Sequence, residues 1–337
     1  MTSNIRCFSK RRLLTSSCSQ RIIQTFRQYV STGPPIVHHD GYSCPWPDEH
    51  RFKMKKFLKV KQYLIEDCII VNSSQWCTPD IASEQLLRCA HQEQYIYDFM
   101  NGLIPEKEMR KTGFHWTPGV VSRCRLEVGG TLLAAQLALE HGLACSTGGG
   151  THHAYPDRGS GFCMFNDLAI VAEKLLQDSV LERVLIVDLD VHQGDGTAFI
   201  CQDNPNIFTF SVHCGKNFPL RKQQSDLDIS LEKGMQDKEY IEIVHEQLKW
   251  LLYTFKPNLI LYDAGVDPHK DDELGFLSLS DQGLFDRDEL VLTMAEQYGV
   301  PVATVIGGGY CKDQDVLGRR HTIIHRAATK VWQGKRL

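Results

Sequence analysis

The sequence contains twelve cysteines but no CxxC pair. That absence excludes a zinc ribbon, and cysteines scattered singly suit a reducing compartment better than a disulfide framework. No uninterrupted apolar run reaches the roughly 18 residues that a membrane-spanning helix needs. Positive charge is not in excess: 37 Lys and Arg face 41 Asp and Glu, a net charge of −4, which argues against direct nucleic-acid binding. No internal repeat, low-complexity block or linker interrupts the chain after residue 40. At 337 residues and 42% hydrophobic composition the chain is long enough for one large core.

The amino-terminal segment lacks acids altogether, since the first is Asp40. Before it stand Arg6, Lys10, Arg11, Arg12, Arg21 and Arg27 among many serines and threonines. Such a basic amphipathic stretch reads as a mitochondrial transit peptide over residues 1–35, with "RQYVS" (27–31) as a cleavage-like site. The competing reading is a basic tail on a nuclear and cytoplasmic protein. Residues 36–337 read as a single catalytic domain.

Past the leader, short apolar runs alternate with helical patterns. "DCIIVN" (67–72), "VLIVDLD" (184–190), "IFTFSV" (207–212), "NLILYDAG" (258–265) and "VPVATVIGGG" (300–309) read as buried strands. Residues 122–141, 166–178, 237–255 and 281–299 read as helices, the second capped by Asn166. Such alternation predicts an α/β fold with a mainly parallel sheet covered on both faces. In these sheets ligands bind beyond the carboxyl ends of the strands.

Polar residues cluster at those ends. "LIVDLDVHQGDG" (185–196) places Asp188, Asp190, His192 and Asp195 at or past a strand end. "STGGGTHHAYPDRGSGFCMFND" (146–167) carries adjacent His152 and His153 in a glycine-rich loop. "YDAGVDPH" puts Asp267 beyond another strand, and "IGGGYC" presents Tyr310 after three glycines. Asp190 and His192, two apart on extended backbone, point to the same side. With Asp267 they make three ligands and an open position, suiting zinc, iron(II) or cobalt. His152 and His153 read as acid/base groups, with Asp188 and Asp195 available to set their tautomers. Tyr310 reads as a donor to a developing oxyanion. Each feature alone has a bland reading as a solvated loop or core packing; together they describe metal-assisted amide hydrolysis.

The set "GGGTHHA", "GSGFCMFND", "DLDVHQGDGT", "DAGVDP" and "GGGY" resembles the zinc-dependent histone deacetylase family, in its order and spacing, over residues 36–330. "DVHQGDG" and "LGFLSLSDQGLFDRDELV" (274–291) look most like class IV members and their bacterial relatives. The resemblance implies an arginase/deacetylase fold with a central eight-stranded parallel sheet. It implies one zinc per chain on Asp190, His192 and Asp267. It pairs His152 with Asp188 and His153 with Asp195, makes His153 the main general base, and gives Tyr310 the scissile carbonyl. Gly161, Phe162 and Phe218 match the walls of an acyl-lysine tunnel. A structural potassium is implied at Asp188, Asp190, His192, Ser211 and Val212, mainly through backbone carbonyls. Acylated lysines in proteins are the implied substrates.

Departures from the family pattern carry expectations of their own. Cys163 and Met164 are expected on the mouth side of the tunnel, where methionine softens it. Residues 213–234 are short and lack a long glycine-rich lip, which opens the pocket to fatty-acyl lysine. Three rivals remain: a two-metal arginase-type hydrolase, a polyamine deacetylase, and a non-catalytic scaffold. The four-residue spacing of Asp263 and Asp267 speaks against the first, and the intact ligand and histidine set against the third.

Overall fold

The computed structural model describes residues 33–334, so the basic leader lies outside the described residues. Eight strands form one sheet: β1 (Ile36–Val37), β2 (Trp76–Cys77), β3 (Leu143–Ser146), β4 (Val184–Asp188), β5 (Ile207–Cys214), β6 (Leu227–Leu231), β7 (Leu259–Asp263) and β8 (Val302–Val305). Every pairing is parallel and the order is β2-β1-β3-β8-β7-β4-β5-β6.

The expected burial on both faces is present. Leu185 and Val187 of β4 join Ile260 and Tyr262 of β7 in one core, with Leu248, Leu284 and Ala327 from the helices Asp237–Thr254, Asp281–Gln297 and Ile323–Gly334. The alternate residues Val184, Ile186, Leu259 and Leu261 face the opposite core, with Leu137 and Leu168 from the helices Pro118–His141 and Asp167–Gln177. Burying each such Leu, Ile or Val side chain contributes about 1.5–3 kcal/mol, so register in the central strands is tightly specified.

The helices begin where side chains satisfy their first amides. The Thr117 hydroxyl accepts from Val120 N, and Pro118 occupies the first turn, where its missing N–H costs nothing. Asn166 accepts from Ala169 N and Ser280 from Gly283 N. Gly142, at φ 87°, stops the 24-residue helix in a conformation that a side chain would strain.

One expected strand is absent. Residues 67–72 form the turn that ends the helix Lys56–Glu66: Cys68 adopts φ 55°, and the amides of Ile69 and Ile70 both donate to Leu64 O at 3.0 Å. A short apolar run fits a half-buried turn as well as a strand, and the pairing partner of β1 is instead Trp76–Cys77. Among the described residues no helix is long and apolar enough to cross a membrane.

Candidate active site

The sheet order places the carboxyl ends of β3, β8, β7 and β4 side by side, and the loops leaving them carry the polar clusters. The loop after β3 brings His152 and His153, both buried. It is anchored from below by Asp167, whose carboxylate accepts from Gly150 N (3.0 Å), Thr151 N (2.7 Å), and the hydroxyls of Thr151 (2.7 Å) and Thr131 (2.5 Å). Asn166, besides capping its helix, donates to His152 O and Ala154 O. The loop after β7 is held by the guanidinium of Arg287, which donates to Gly265 O (2.7 Å) and Leu189 O (3.2 Å).

Two histidine–aspartate pairs face each other. His152 Nδ1 lies 2.7 Å from Asp188 Oδ2, and His153 Nδ1 lies 2.6 Å from Asp195 Oδ1. The outer oxygen of Asp195 accepts from the Tyr155 hydroxyl at 2.9 Å. The two Nε2 atoms approach to 3.2 Å. Burial disfavours a charge on His152, but Asp188 and Asp190 outweigh it and hold its pKa well above the usual value. Burial and the neighbouring charged His152 push His153 down to about 4. Of the two, His152 is thus the ring that holds a second proton more readily, and His153 the one that favours the neutral form.

Asp190, His192 and Asp267 form a second knot, with one ligand atom from each within 4.8 Å of the others and all three residues buried. His192 Nδ1 lies 2.9 Å from Asp190 Oδ1 and 3.1 Å from Asp267 Oδ2. Burial opposes charge on His192, but its hydrogen bonds to Asp190 and Asp267 raise it to about 10. Burial and Asp190 together lift Asp267 to about 7. Gly308 N donates to Asp190 Oδ2 at 2.8 Å, and a Cβ on Gly308 would fall 2.2 Å from Asp267 Oδ2. Only glycine fits there.

Asp263 adds a further buried carboxyl to the cluster. It is fully buried, and neither carboxylate oxygen has a hydrogen-bond partner. Burial and Asp188 push its pKa well above the usual carboxylate range. With Asp188, Asp190 and Asp267 it makes four buried carboxylates beside His152 and His192. Holding these carboxyls ionised in a low-dielectric interior is costly without a cation beside them. The two-carboxylate, one-imidazole set of Asp190, His192 and Asp267 fits a divalent transition metal such as zinc. The parallel register sets Ser211 of β5 beside Asp188, with Val212 following, and a void of about 10 Å³ lies against Asp188 and Ser211.

Access comes from one side. Phe162 and Phe218 stand in an open funnel of about 460 Å³ that reaches His153, His192 and Tyr310. The Phe218 ring meets His153 edge-on at 4.8 Å, and the Phe162 and Tyr310 ring centroids are 5.7 Å apart. Gly161 turns the chain at φ 51°, and a Cβ there would strike the His153 ring at 2.6 Å. Tyr310 sits between Phe162 and His192, its phenol held well above the usual pKa by burial and by Asp190 and Asp267. Behind the histidines lies a second, small cavity of about 30 Å³, lined by Lys56, Arg123, Glu127 and Cys163.

Here the expectation for Cys163 and Met164 fails. The reversal at Gly161 and Phe162, both at positive φ, turns the following residues away from the mouth. Cys163 lines the inner cavity, and Met164 is fully buried, its carbonyl accepting from the Tyr95 hydroxyl at 2.7 Å. The segment 213–234 is also more ordered than a lip: residues 227–231 form edge strand β6, leaving 215–226 as the rim. Sequence reading missed Tyr155, Asn166, Asp167, Asp263 and Arg287. Asn166 and Asp167 were visible only as a helix start, and nothing local marks Arg287 as a loop anchor.

Comparison with known proteins agrees with this geometry. Residues 50–325 match the model of the histone deacetylase domain. An uncharacterized protein of Picosynechococcus sp. is 50% identical over 300 residues, covering 89% of this chain and all of that protein. Histone deacetylase 2 of Arabidopsis thaliana is 30% identical over 272 residues, 78% of this chain and 70% of that one. The crystal structure of a histone deacetylase homologue from Aquifex aeolicus superposes with a TM-score of 0.73 at 23% identity, covering 89% of this chain and 84% of that chain. The eight-stranded parallel sheet is thus that of the arginase/deacetylase fold, and the chain belongs to the histone deacetylase family.

Proposed function

We propose that this chain hydrolyses the amide of acylated lysine side chains in proteins. One observation carries the reading: His152 and His153, each on its own aspartate, face each other across 3.2 Å, beside a metal-fitting triad, at the foot of a phenylalanine-walled funnel. Zinc on Asp190, His192 and Asp267 would polarise the carbonyl and acidify water.

The chain's own residues do the rest. Phe162 and Phe218 flank the aliphatic stem of lysine, since the peptide itself must stay outside. His153, which favours the neutral form, accepts the proton of the attacking water at Nε2; Asp195 fixes its tautomer through Nδ1. His152 supplies the proton that the departing amine requires. Tyr310, protonated throughout, donates its O–H to the developing oxyanion. Asp188 is proposed to serve His152 and, with the carbonyls of Asp190, His192, Ser211 and Val212, a potassium ion.

The acyl group must point inward, past Tyr310, to the inner cavity. That cavity is small, about 30 Å³, and its walls carry Lys56 and the Arg123–Glu127 ion pair. This supports acetyl as the acyl group over a long fatty chain, despite the short rim. The stretch 274–291 supports a place near class IV, and the leader composition supports a mitochondrial location.

The test is lysine deacylation by the purified full chain on one peptide carrying acetyl, octanoyl or myristoyl groups, before and after metal removal. Expected are acetyl release, its loss on chelation and its recovery with zinc. Release that survives exhaustive metal removal overturns the reading.

A further inference from the structure

The funnel mouth has one sign of charge. Arg51, Lys111 and Lys216 line it, and no carboxylate does. Lys111 is matched by Glu108 at 2.6 Å, but Arg51 and Lys216 are exposed and have no ion-pair or hydrogen-bond partner among the described residues. Lys233 lies over the ring of Phe276, another lining residue, at 3.9 Å. The setting sharpens the contrast. Six of the 37 basic residues fall in the first 39 positions, so the remainder carries 31 basic against 41 acidic residues. A basic mouth on an acidic body is a local feature rather than a reflection of composition.

The mouth is also held in shape. Asn217 Nδ2 donates to Leu274 O, and its Oδ1 accepts from Phe276 N at 3.0 Å. Lys222 Nζ ties the carbonyls of Asn217 and Pro219, each at 2.7 Å. The charges therefore sit on a braced rim that need not order when substrate arrives. A peptide presenting its acyl-lysine to the funnel must lay its neighbouring side chains on that rim.

We propose that the rim selects acyl-lysines flanked by aspartate or glutamate and disfavours polycationic substrates. The inference rests on the amide-hydrolase reading above and adds the substrate class. It runs against both the polyamine alternative and lysine- and arginine-rich tails, because each would set ammonium or guanidinium groups beside Arg51 and Lys216. Exposed pairs are individually weak and screened within about 8 Å at physiological salt, so the effect is a preference rather than a lock.

The experiment measures kcat/KM of the zinc-loaded full chain on three acetyl-lysine peptides, flanked by Glu, Ala or Arg, and on an acetylated polyamine. Expected is the order Glu, Ala, Arg, with a spread between the first and last on the order of tenfold at low ionic strength. That spread should shrink sharply at high salt. In Arg51→Glu/Lys216→Glu the order should reverse, a ratio within one protein that does not depend on how well the variant folds. Equal rates on all three peptides, or a spread unchanged in the variant, overturn the inference and leave amide hydrolysis standing. Turnover of the polyamine with no peptide turned over overturns both.

Discussion

Replacing Tyr310 with phenylalanine removes one oxygen and little else. The Tyr310 backbone is pinned on both sides: its N–H donates to Asp272 Oδ2 at 2.7 Å, and its carbonyl accepts from Glu273 N at 2.9 Å. Its ring is packed against Phe162, and its hydroxyl makes no hydrogen bond among the described residues. A phenylalanine ring should therefore occupy the same place. Losing an oxyanion donor typically costs about 10²–10³ in turnover, or about 2.7–4 kcal/mol of transition-state stabilisation. The folded state loses no hydrogen bond, so stability should change by less than about 1 kcal/mol, roughly 1–2 °C in Tm for a chain of this size. Steady-state kinetics on an acetyl-lysine peptide, with thermal unfolding in parallel, separate the two. A variant within about threefold of wild-type kcat, with an unchanged Tm, would refute the assigned role.

Other expectations concern buried groups. Asp263→Asn should keep activity within about threefold, because burial and Asp188 push that carboxyl toward its protonated form and the amide is its neutral counterpart; a loss beyond tenfold in kcat would show that its charge is used. Arg123→Met should lower stability by about 3–5 kcal/mol, since it strands Glu127, its fully buried partner at 2.6 Å; Glu127→Gln in the same chain should recover most of this, and an unchanged midpoint in denaturant would count against it. His325, pushed down to about 4 by burial, stays neutral in the native chain while the unfolded chain takes up a proton below about pH 6.5. Its contribution is thus intact above that pH and lost as pH falls toward 4. Relative to His325→Gln, wild type should lose about 2 kcal/mol between pH 7 and pH 5, and a pH-independent difference between the two would contradict the assignment.

The residues that sequence made legible are polar and stand either just past an apolar run or, like His152, His153 and Tyr310, behind a run of glycines. Asp188, Asp190, His192 and Asp267 announce themselves because a buried strand end has no other reason to carry charge. The illegible ones act across the fold. Asp167 is a good helix-start residue by any local rule, yet its carboxylate spends its acceptors on the loop 15 or more residues earlier and on Thr131. Asp263 ends β7 like any strand-end acid, and only the packing of Gly150 and Gly307 against it shows that both oxygens are sealed from partners. β1 and β6 escaped notice for opposite reasons: two residues are too few to show a period, and edge strand β6 is mostly half-exposed, with only Leu231 buried. The run 67–72 misled because apolarity reports burial and not the direction of the backbone.

The position of β8 bears on how the protein is made. It is the last strand to leave the ribosome, yet it stands in the middle of the sheet, joining β3 on one side to β7 on the other. Until residues 302–305 emerge, the nascent chain can hold only two half-sheets, β2-β1-β3 and β7-β4-β5-β6, each with an open parallel edge of the kind that recruits other chains. A premature stop before that strand leaves the two half-sheets without the strand that pairs with both. Vectorial synthesis thus leaves both of these edges without their partner strand for nearly the whole length of the chain.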